Sequence, residues 1–512
     1  MAVPREKLAS ALKELQRLQQ GGRYVFQSVE LARLSRERLV RQGFLQPILK
    51  GWLISAKPGV APGDSTPWYA CFWEFCQRYC EARFEDKWHL SPEQSLLLHG
   101  ESSAVPAQLV IYSPRGTNNA IALPFQTSLF DLKETKMPPQ RDLVLRDGLR
   151  LFAPEEALIR VPDAFYARHP IEAQVVLGGI RDASSLLRRL VDGGHSVVAG
   201  RLAGALRRLG KGAIAEDIVE TMKSAGYAVR ESDPFADARN VGAPAAPVAP
   251  IVARLQTLWA SMRRPVLDLF PRPPGLPRNK RAYLKSVDEI YQTDAYHSLS
   301  IEGYRVAPDL IDRVASGAWD PQKHQADRDS RDALAARGYW QAFQVVRRAV
   351  ASIIEGANAG AIVSLAHREW YRQLFQPCVA AGLIPAHALA GCRDDSVFIR
   401  TSRHVPPRPQ AVSEAMPALF DLLEREPEPA VRAVLGHWLF GYIHPYFDGN
   451  GRVARFLMNA MLASGGYPWT VIRVQQRRQY LEALENASVG MDIRPFAAFV
   501  AKATGESAPD KP

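Results

Sequence analysis

His437-Trp-Leu-Phe-Gly-Tyr-Ile-His-Pro-Tyr-Phe-Asp-Gly-Asn-Gly-Arg-Val-Ala-Arg455 decides the reading of this chain. Its pattern predicts an amphipathic helix that ends at a histidine and a proline, a short polar loop rich in glycine, and a second helix from about Gly451. A loop that feeds a helix N-terminus presents unpaired amide N–H groups and the positive end of the macrodipole, and its glycines let an anion come close. Arg452 and Arg455 stand three apart on the first turn of the second helix, so they share a face beside the loop and can make charge-assisted bonds to phosphate oxygens. Two arginines are badly placed against the dipole there, a local cost that makes sense if a polyanion occupies the loop. Asp448 adds a hard oxygen suited to Mg²⁺ bridging two phosphates. His444 adds a base that titrates near neutral pH and can take a proton from an incoming hydroxyl.

Outward from this stretch, the C-terminal half reads as mainly α. Ala335 to Glu355 repeats apolar residues at three and four with basic residues on the other face. Phe270 to Asn279 carries prolines that remove amide donors, so it reads as a loop between helices. Ser396-Val-Phe-Ile-Arg-Thr401 is the exception, a β-branched and aromatic run that predicts one strand of a small hairpin.

The N-terminal half has a mixed α/β signature. Ala107 to Tyr112 and Asp142 to Arg146 read as strands, and Asp182 to Leu190 and Gly210 to Ala225 as helices. The opening residues predict a helix over Arg5–Leu18, a short helix around Val29–Arg33, another over Ser35–Gln42, and a hairpin through Leu45–Ser55 turning at Lys50-Gly51. That is a winged-helix order. Asp233 to Pro250, rich in Pro and Ala and without apolar period, is the strongest boundary. The expected organisation is 1–60 winged-helix domain, 61–232 α/β domain, 233–251 linker, and 252–505 helical domain.

At 512 residues, and with domains usually of ~100–200 residues, the chain is long enough for two to four of them. A net charge of +11 favours an anionic partner, nucleic acid or a phosphorylated ligand, without choosing between them. Five cysteines, at 71, 76, 80, 378 and 392, show no Cys-x-x-Cys spacing, which indicates neither a disulfide framework nor a zinc site and fits a reducing cytoplasm. The N-terminus lacks the form of a secretion signal and no stretch approaches a membrane span, so no membrane association is expected.

The run from His444 to Arg455 resembles the Fic family, in which a histidine, a later Asp or Glu, Gly-Asn-Gly, an arginine and a second arginine stand at these spacings. The resemblance covers roughly Val252 to Ala501. It implies a nucleotidyltransferase that moves AMP from ATP, with Mg²⁺, onto a Ser, Thr or Tyr hydroxyl of a target protein. His444 would be the base, Asp448 the metal ligand, and Gly449, Asn450 and Gly451 the anion cradle. Arg452 would support the phosphates and Arg455 hold the γ-phosphate. Tyr446 departs from the family's usual phenylalanine, and its hydroxyl needs a partner or solvent. Ser298-Leu-Ser-Ile-Glu-Gly303 is similar to the family's inhibitory motif, implying that Glu302 pairs with Arg455 and blocks productive γ-phosphate binding, with Ser298 and Gly303 completing the motif. Arg393 to Thr401 resembles the flap that holds the target by strand addition. His367, Trp370 and Phe375 sit where the family has a helix before the flap.

The N-terminal region resembles, less specifically, that of AbiEi-type antitoxins. Arg36, Arg38 and Arg41 of a recognition helix and Lys50 of a wing would then contact DNA phosphates, although a merely solvated basic face explains them equally. His437, flanked by apolar residues, reads as a packed core histidine, and Cys76 and Cys80, one turn apart beside Trp73 and Phe75, as buried thiols. The resulting expectation is a cytoplasmic, autoinhibited Fic-type AMP-transferase joined to a region that binds DNA or a partner. Its rivals are a Fic enzyme with another nucleotide or phosphorylated donor, and a DNA-binding, antitoxin-like regulator that uses the Fic half as a nucleotide sensor. Homo-oligomerisation stays open.

Overall fold

A computed structural model describes residues 4–59, 63–236, 248–317 and 331–507. The chain forms two compact units, one of Met1–Ala238 with Val397–Val405 and the other of Arg239–Ser396 with Pro406–Pro512.

The first unit opens with a helix over Pro4–Leu18 and a helix over Arg33–Arg41. A three-stranded antiparallel sheet follows the order Val25–Gln27, Trp52–Ser55, Leu45–Leu49. Ala11, Leu15, Phe26, Leu39, Leu45 and Leu53 close a small core between helices and sheet. Gly51 turns the hairpin at φ 87°, a conformation that a side chain would strain. The helix expected around Val29–Arg33 is absent. In its place stand the strand Val25–Gln27 and a single 3₁₀ turn over Ser28–Glu30, because the Glu30 carboxylate accepts from the Gln27 N–H at 2.6 Å and pairs with Arg23, which closes a turn rather than a helix.

Beyond it, the helix Thr66–Phe84 lays Trp68, Phe72, Phe75, Cys76, Tyr79 and Cys80 into an aromatic core. This core is shared with a four-stranded sheet in the order His89–Leu90, Gln108–Ser113, Ser128–Lys133, Asn119–Ala122, whose central pair is parallel. A hairpin of Leu143–Arg146 and Leu149–Phe152 leads into short helices ending with Gly212–Ser224. Cys76 and Cys80 are free, buried thiols, and burial pushes both far above the usual thiol range.

The second unit is helical. Of the expected linker, residues 237–247 lie outside the described residues, and Pro250 already opens the helix Pro250–Leu269, where its missing N–H costs nothing. Helices follow at Lys280–Ile301, Pro308–Ala315, Arg331–Ile354, Ala359–Ala380, Pro409–Arg425, Pro429–Ile443, Asn450–Ala463, Arg477–Ser488 and Arg494–Glu506. Pro429–Ile443 is buried on almost every face rather than amphipathic, since neighbouring helices enclose it.

Ser396–Thr401 forms no strand. The Ser396 N–H bonds the Asp395 carboxylate, Ser402 N–H turns back to the Ile399 carbonyl, and Thr401 takes a positive φ of 62°, so the run curls before a hairpin can form. Within the first unit, residues 397–405 instead give one isolated antiparallel bridge, His404 to Ala104, flanked by Val105 N–H to Arg403 O at 3.0 Å and Val405 N–H to Ser103 O at 2.9 Å.

Candidate active site

The buried helix Pro429–Ile443 delivers His444 at its C-cap, in the left-handed conformation at φ 52° and ψ 59°. Its Nδ1 lies 3.2 Å from the Gly441 carbonyl, and a carbonyl only accepts, so Nδ1 carries the hydrogen and Nε2 keeps its lone pair. Burial pushes the histidine down to about 4 against the effect of that bond, and the positive charge of Arg393 pushes the same way. The group is therefore held neutral, in a base's form, rather than titrating near neutral pH.

Asn450 staples the loop that follows. Its Oδ1 accepts from the Tyr446 N–H at 2.9 Å and its Nδ2 donates to the Tyr446 carbonyl at 2.7 Å, so this side chain serves the loop itself. Tyr446 stacks flat on Tyr371, with centroids 3.8 Å apart and planes within 3°. The partner expected for its hydroxyl is missing among the described residues, and the side chain is buried. Gly449 sits at φ 80° as the N-cap of Asn450–Ala463, where an added Cβ would stand 2.7 Å from the Phe375 ring. Asp448 bonds the Gly449 N–H at 2.6 Å and is half exposed.

Two arginines rise from the next helix. Arg452 is buried, sandwiched between the rings of Phe375 at 4.9 Å and Tyr304 at 5.2 Å. Its Nη2 is 3.6 Å from Asp448 Oδ1, within ion-pair reach but too long for a hydrogen bond, and both Nε and Nη2 lack a hydrogen-bond partner among the described residues. Buried guanidinium donors left open in this way suit an anion with oxygens on that side.

Arg455 is held along its Nε–Nη2 edge. Nε donates to Ser298 Oγ at 2.9 Å, and Nη2 donates both to the Ser298 carbonyl at 3.0 Å and to Glu302 Oε1 at 2.7 Å. Although burial works against its charge, Arg455 and then Arg452 hold the Glu302 carboxyl below its usual range. Gly303, at φ 89°, ends the turn that carries Glu302. A Cβ on Gly451 would lie 2.4 Å from Glu302 Oε1, so the carboxylate rests directly against the loop's last glycine. Behind Arg455, Tyr339 donates to Asp294 Oδ2 at 2.6 Å, and burial raises that carboxyl to about 6.

The chain thus brings together His444, Asp448, Gly449, Asn450, Gly451, Arg452, Arg455, Ser298 and Glu302. His437 stands apart, buried with Nε2 at 2.8 Å from the Tyr480 hydroxyl and pushed by burial down to about 3. His367 is likewise buried, with Nδ1 on the Ser364 carbonyl at 2.9 Å. Three residues around the site escaped the sequence reading: Tyr304, Arg393 as a side chain, and Asp294. The first had a signal, an aromatic immediately after the Glu-Gly pair; the other two had none.

Residues 365–462 match the Fic/DOC family. The match contains the histidine, the loop and both arginines, while Ser298 and Glu302 lie before it. The chain is similar to the protein adenylyltransferase Fic of Nematostella vectensis, at 34% identity over 241 residues, 46% of this chain and 51% of that protein. It is also similar to the one of Drosophila willistoni, at 43% over 105 residues, 20% of this chain and 21% of that protein. The chain thus spans about half the length of the first of these Fic relatives. A solved structure of Fic-1 from C. elegans is 19% identical, covers 69% of this chain and 86% of that one, and gives a TM-score of 0.37.

Apart from Val397–Val405, the first unit lies before the Fic/DOC match. Of its residues read as DNA contacts, Arg36 donates to the Ser28 carbonyl at 2.6 Å and Arg38 to that of Lys7 at 3.1 Å, both within their own unit, while Arg41 and Lys50 are exposed.

Proposed function

We propose that the chain transfers AMP from ATP to a hydroxyl of a target protein and rests in an inhibited state set by Glu302. The observation that carries this reading is the pairing of a neutral His444, its Nε2 unprotonated, with a helix start where Arg452 keeps open donors and Arg455 is filled by a carboxylate. A nucleotide sensor needs no base.

In the transfer, His444 Nε2 takes the proton of the target hydroxyl as its oxygen bonds the α-phosphorus. The bond from that phosphorus to the oxygen of the β-phosphate breaks, and pyrophosphate leaves. The main-chain N–H groups of Asn450 and Gly451 at the helix start and the Arg452 fork hold the triphosphate, and Arg455 receives the γ-phosphate once Glu302 has left it. Asp448, a half-exposed carboxylate beside the loop, is the residue that fits Mg²⁺, which when bound offsets phosphate charge. Among the described residues no cluster of three or more His, Cys, Asp or Glu could hold a metal by itself. Cytoplasmic residence belongs to the same proposal.

The test is transfer of label from α-labelled ATP with Mg²⁺ to proteins of a cell extract. Label should rise in Glu302→Gly and vanish in Glu302→Gly with His444→Ala. No label in any form, despite demonstrated ATP binding, would reject the reading in favour of another donor or a sensor.

A further inference from the structure

His444 adopts a left-handed backbone that L residues avoid, and its own side chain makes one local contact, Nδ1 to the Gly441 carbonyl at 3.2 Å. Such a conformation persists only where the surroundings over-determine it. The last turn of the preceding helix also leaves carbonyls that need donors. Both demands converge on Arg393.

Arg393 is 3% exposed, and among the described residues no carboxylate pairs with it. Its donors go to main-chain carbonyls instead. Nε bonds the His444 carbonyl at 2.8 Å, Nη1 the Asp395 carbonyl at 3.0 Å, and Nη2 the Ile443 carbonyl at 3.4 Å and the Pro407 carbonyl. Its own N–H donates to the Pro445 carbonyl at 2.8 Å. A buried cation with no carboxylate in ion-pair contact is costly, and burial pulls this one down to about 10 although the nearby Asp395 charge works the other way. The negative end of the helix Pro429–Ile443 supplies the compensation. The planar fork matters as much as the charge, because a lysine ammonium cannot span carbonyls on both sides of the loop's neck.

We propose that Arg393 is a positioning residue for the transfer: by gripping the carbonyls of Ile443 and His444 and gathering those of Asp395 and Pro407, it fixes the left-handed cap that aims the His444 ring. The arginine touches no reacting atom. It acts through the histidine backbone, while the phosphate-holding groups, Arg452, Arg455 and the loop amides, lie outside its grip. Loss of the fork should therefore strike turnover and spare nucleotide binding.

This inference rests on the AMP-transfer reading, so its test uses two readouts on the full-length protein. The first is steady-state transfer of labelled AMP in the Glu302→Gly background, with and without Arg393→Lys. The fork's loss is expected to lower kcat by roughly 100-fold while the KM for ATP stays within about twofold. Arg393→Met, which removes the charge as well, should in addition shift the acid limb of the kcat profile upward, whereas Arg393→Lys should leave that limb in place. The second readout is NMR of ¹⁵N-labelled histidine, with the His444 signal assigned by His444→Ala. It reports tautomer and titration whether or not label is transferred. A moved His444 signal, or loss of the Nδ1–H tautomer, in Arg393→Lys supports the proposal. An unchanged kcat, or a His444 signal identical to the parent's, overturns it. Should Arg393→Met fail to fold, Arg393→Lys carries the test. If the Glu302→Gly parent itself transfers nothing, the functional reading falls and the NMR arm still decides the role of Arg393.

Discussion

Arg455 Nη2 and Glu302 Oε1 lie 2.7 Å apart across 153 positions of sequence. Ser298 takes the Nε donor through its hydroxyl and shares Nη2 with Glu302 through its carbonyl, so this edge of the guanidinium already faces three oxygens. Removing the carboxylate frees the fork. Glu302→Gly should raise AMP transfer by roughly 5- to 150-fold, the span of a coupling of ~1–3 kcal/mol, measured with labelled ATP. The same change leaves a buried cation less well paired, so the unfolding temperature should fall. A variant with unchanged transfer would show that the pair restrains nothing.

Acid should loosen this arrangement. The Glu302 carboxyl is depressed in the folded protein, so its contribution is complete above the unfolded value, near 4.3 to 4.5, and is lost as pH falls through the lower folded value. His444 is depressed too, to about 4. The folded state refuses a proton that the unfolded state accepts from about pH 6.5 downward, so stability declines between ~6.5 and ~4. Both signs point the same way. In Glu302→Gly, kcat should stay level as pH falls through 6.5 and drop only nearer 4, as a pH–rate profile will read; a limb at 6.5 would contradict the burial of the ring.

Arg452 offers the opposite balance. Arg452→Met forfeits cation–π contacts of ~1–2 kcal/mol but also removes open buried donors costing ~1–3 kcal/mol. Its unfolding temperature should stay within about 4 °C of the parent. ATP affinity, by contrast, should fall roughly 10- to 100-fold with the charged bonds it loses. Thermal unfolding and equilibrium dialysis together check this.

Tyr446→Phe should stabilise. The ring stack on Tyr371 survives, and the buried hydroxyl without a partner disappears. A gain of about 1 kcal/mol is expected, visible as a rise of roughly 2–4 °C in unfolding temperature, with transfer unchanged. A loss of stability would mean that the hydroxyl is hydrogen-bonded in solution.

The loop between the two buried helices was legible because every signal for it is local: a histidine and proline to stop one helix, glycines to turn, arginines at the next start. Ser298 and Glu302 were legible through a short motif at the end of a helix. Arg393 was not, since its bond to the His444 carbonyl spans 51 positions and nothing at Gly391-Cys392-Arg393 announces a buried arginine. Nor was the Tyr339 to Asp294 bond, which joins two helices through single side chains. Ser396–Thr401 misled because β-branched residues report only a fit to a pleated surface, and no partner strand is present there. Val25–Gln27 was missed for the reverse reason, since three residues are too few to show a period of two.

The segment 397–405 groups with the N-terminal unit although the residues on either side of it belong to the other. In that unit His404 is buried, its Nδ1 2.8 Å from Ser103 Oγ, and Val405 packs against the aromatic core. The two units are therefore not two consecutive stretches of gene. A fragment cut to begin after residue 238 would carry these residues without the surface they cover, and Val405, downstream of Arg393, would lose the aromatic core it packs against. Failure of such a fragment to behave would then report on this borrowed segment before it reported on the chemistry of the histidine.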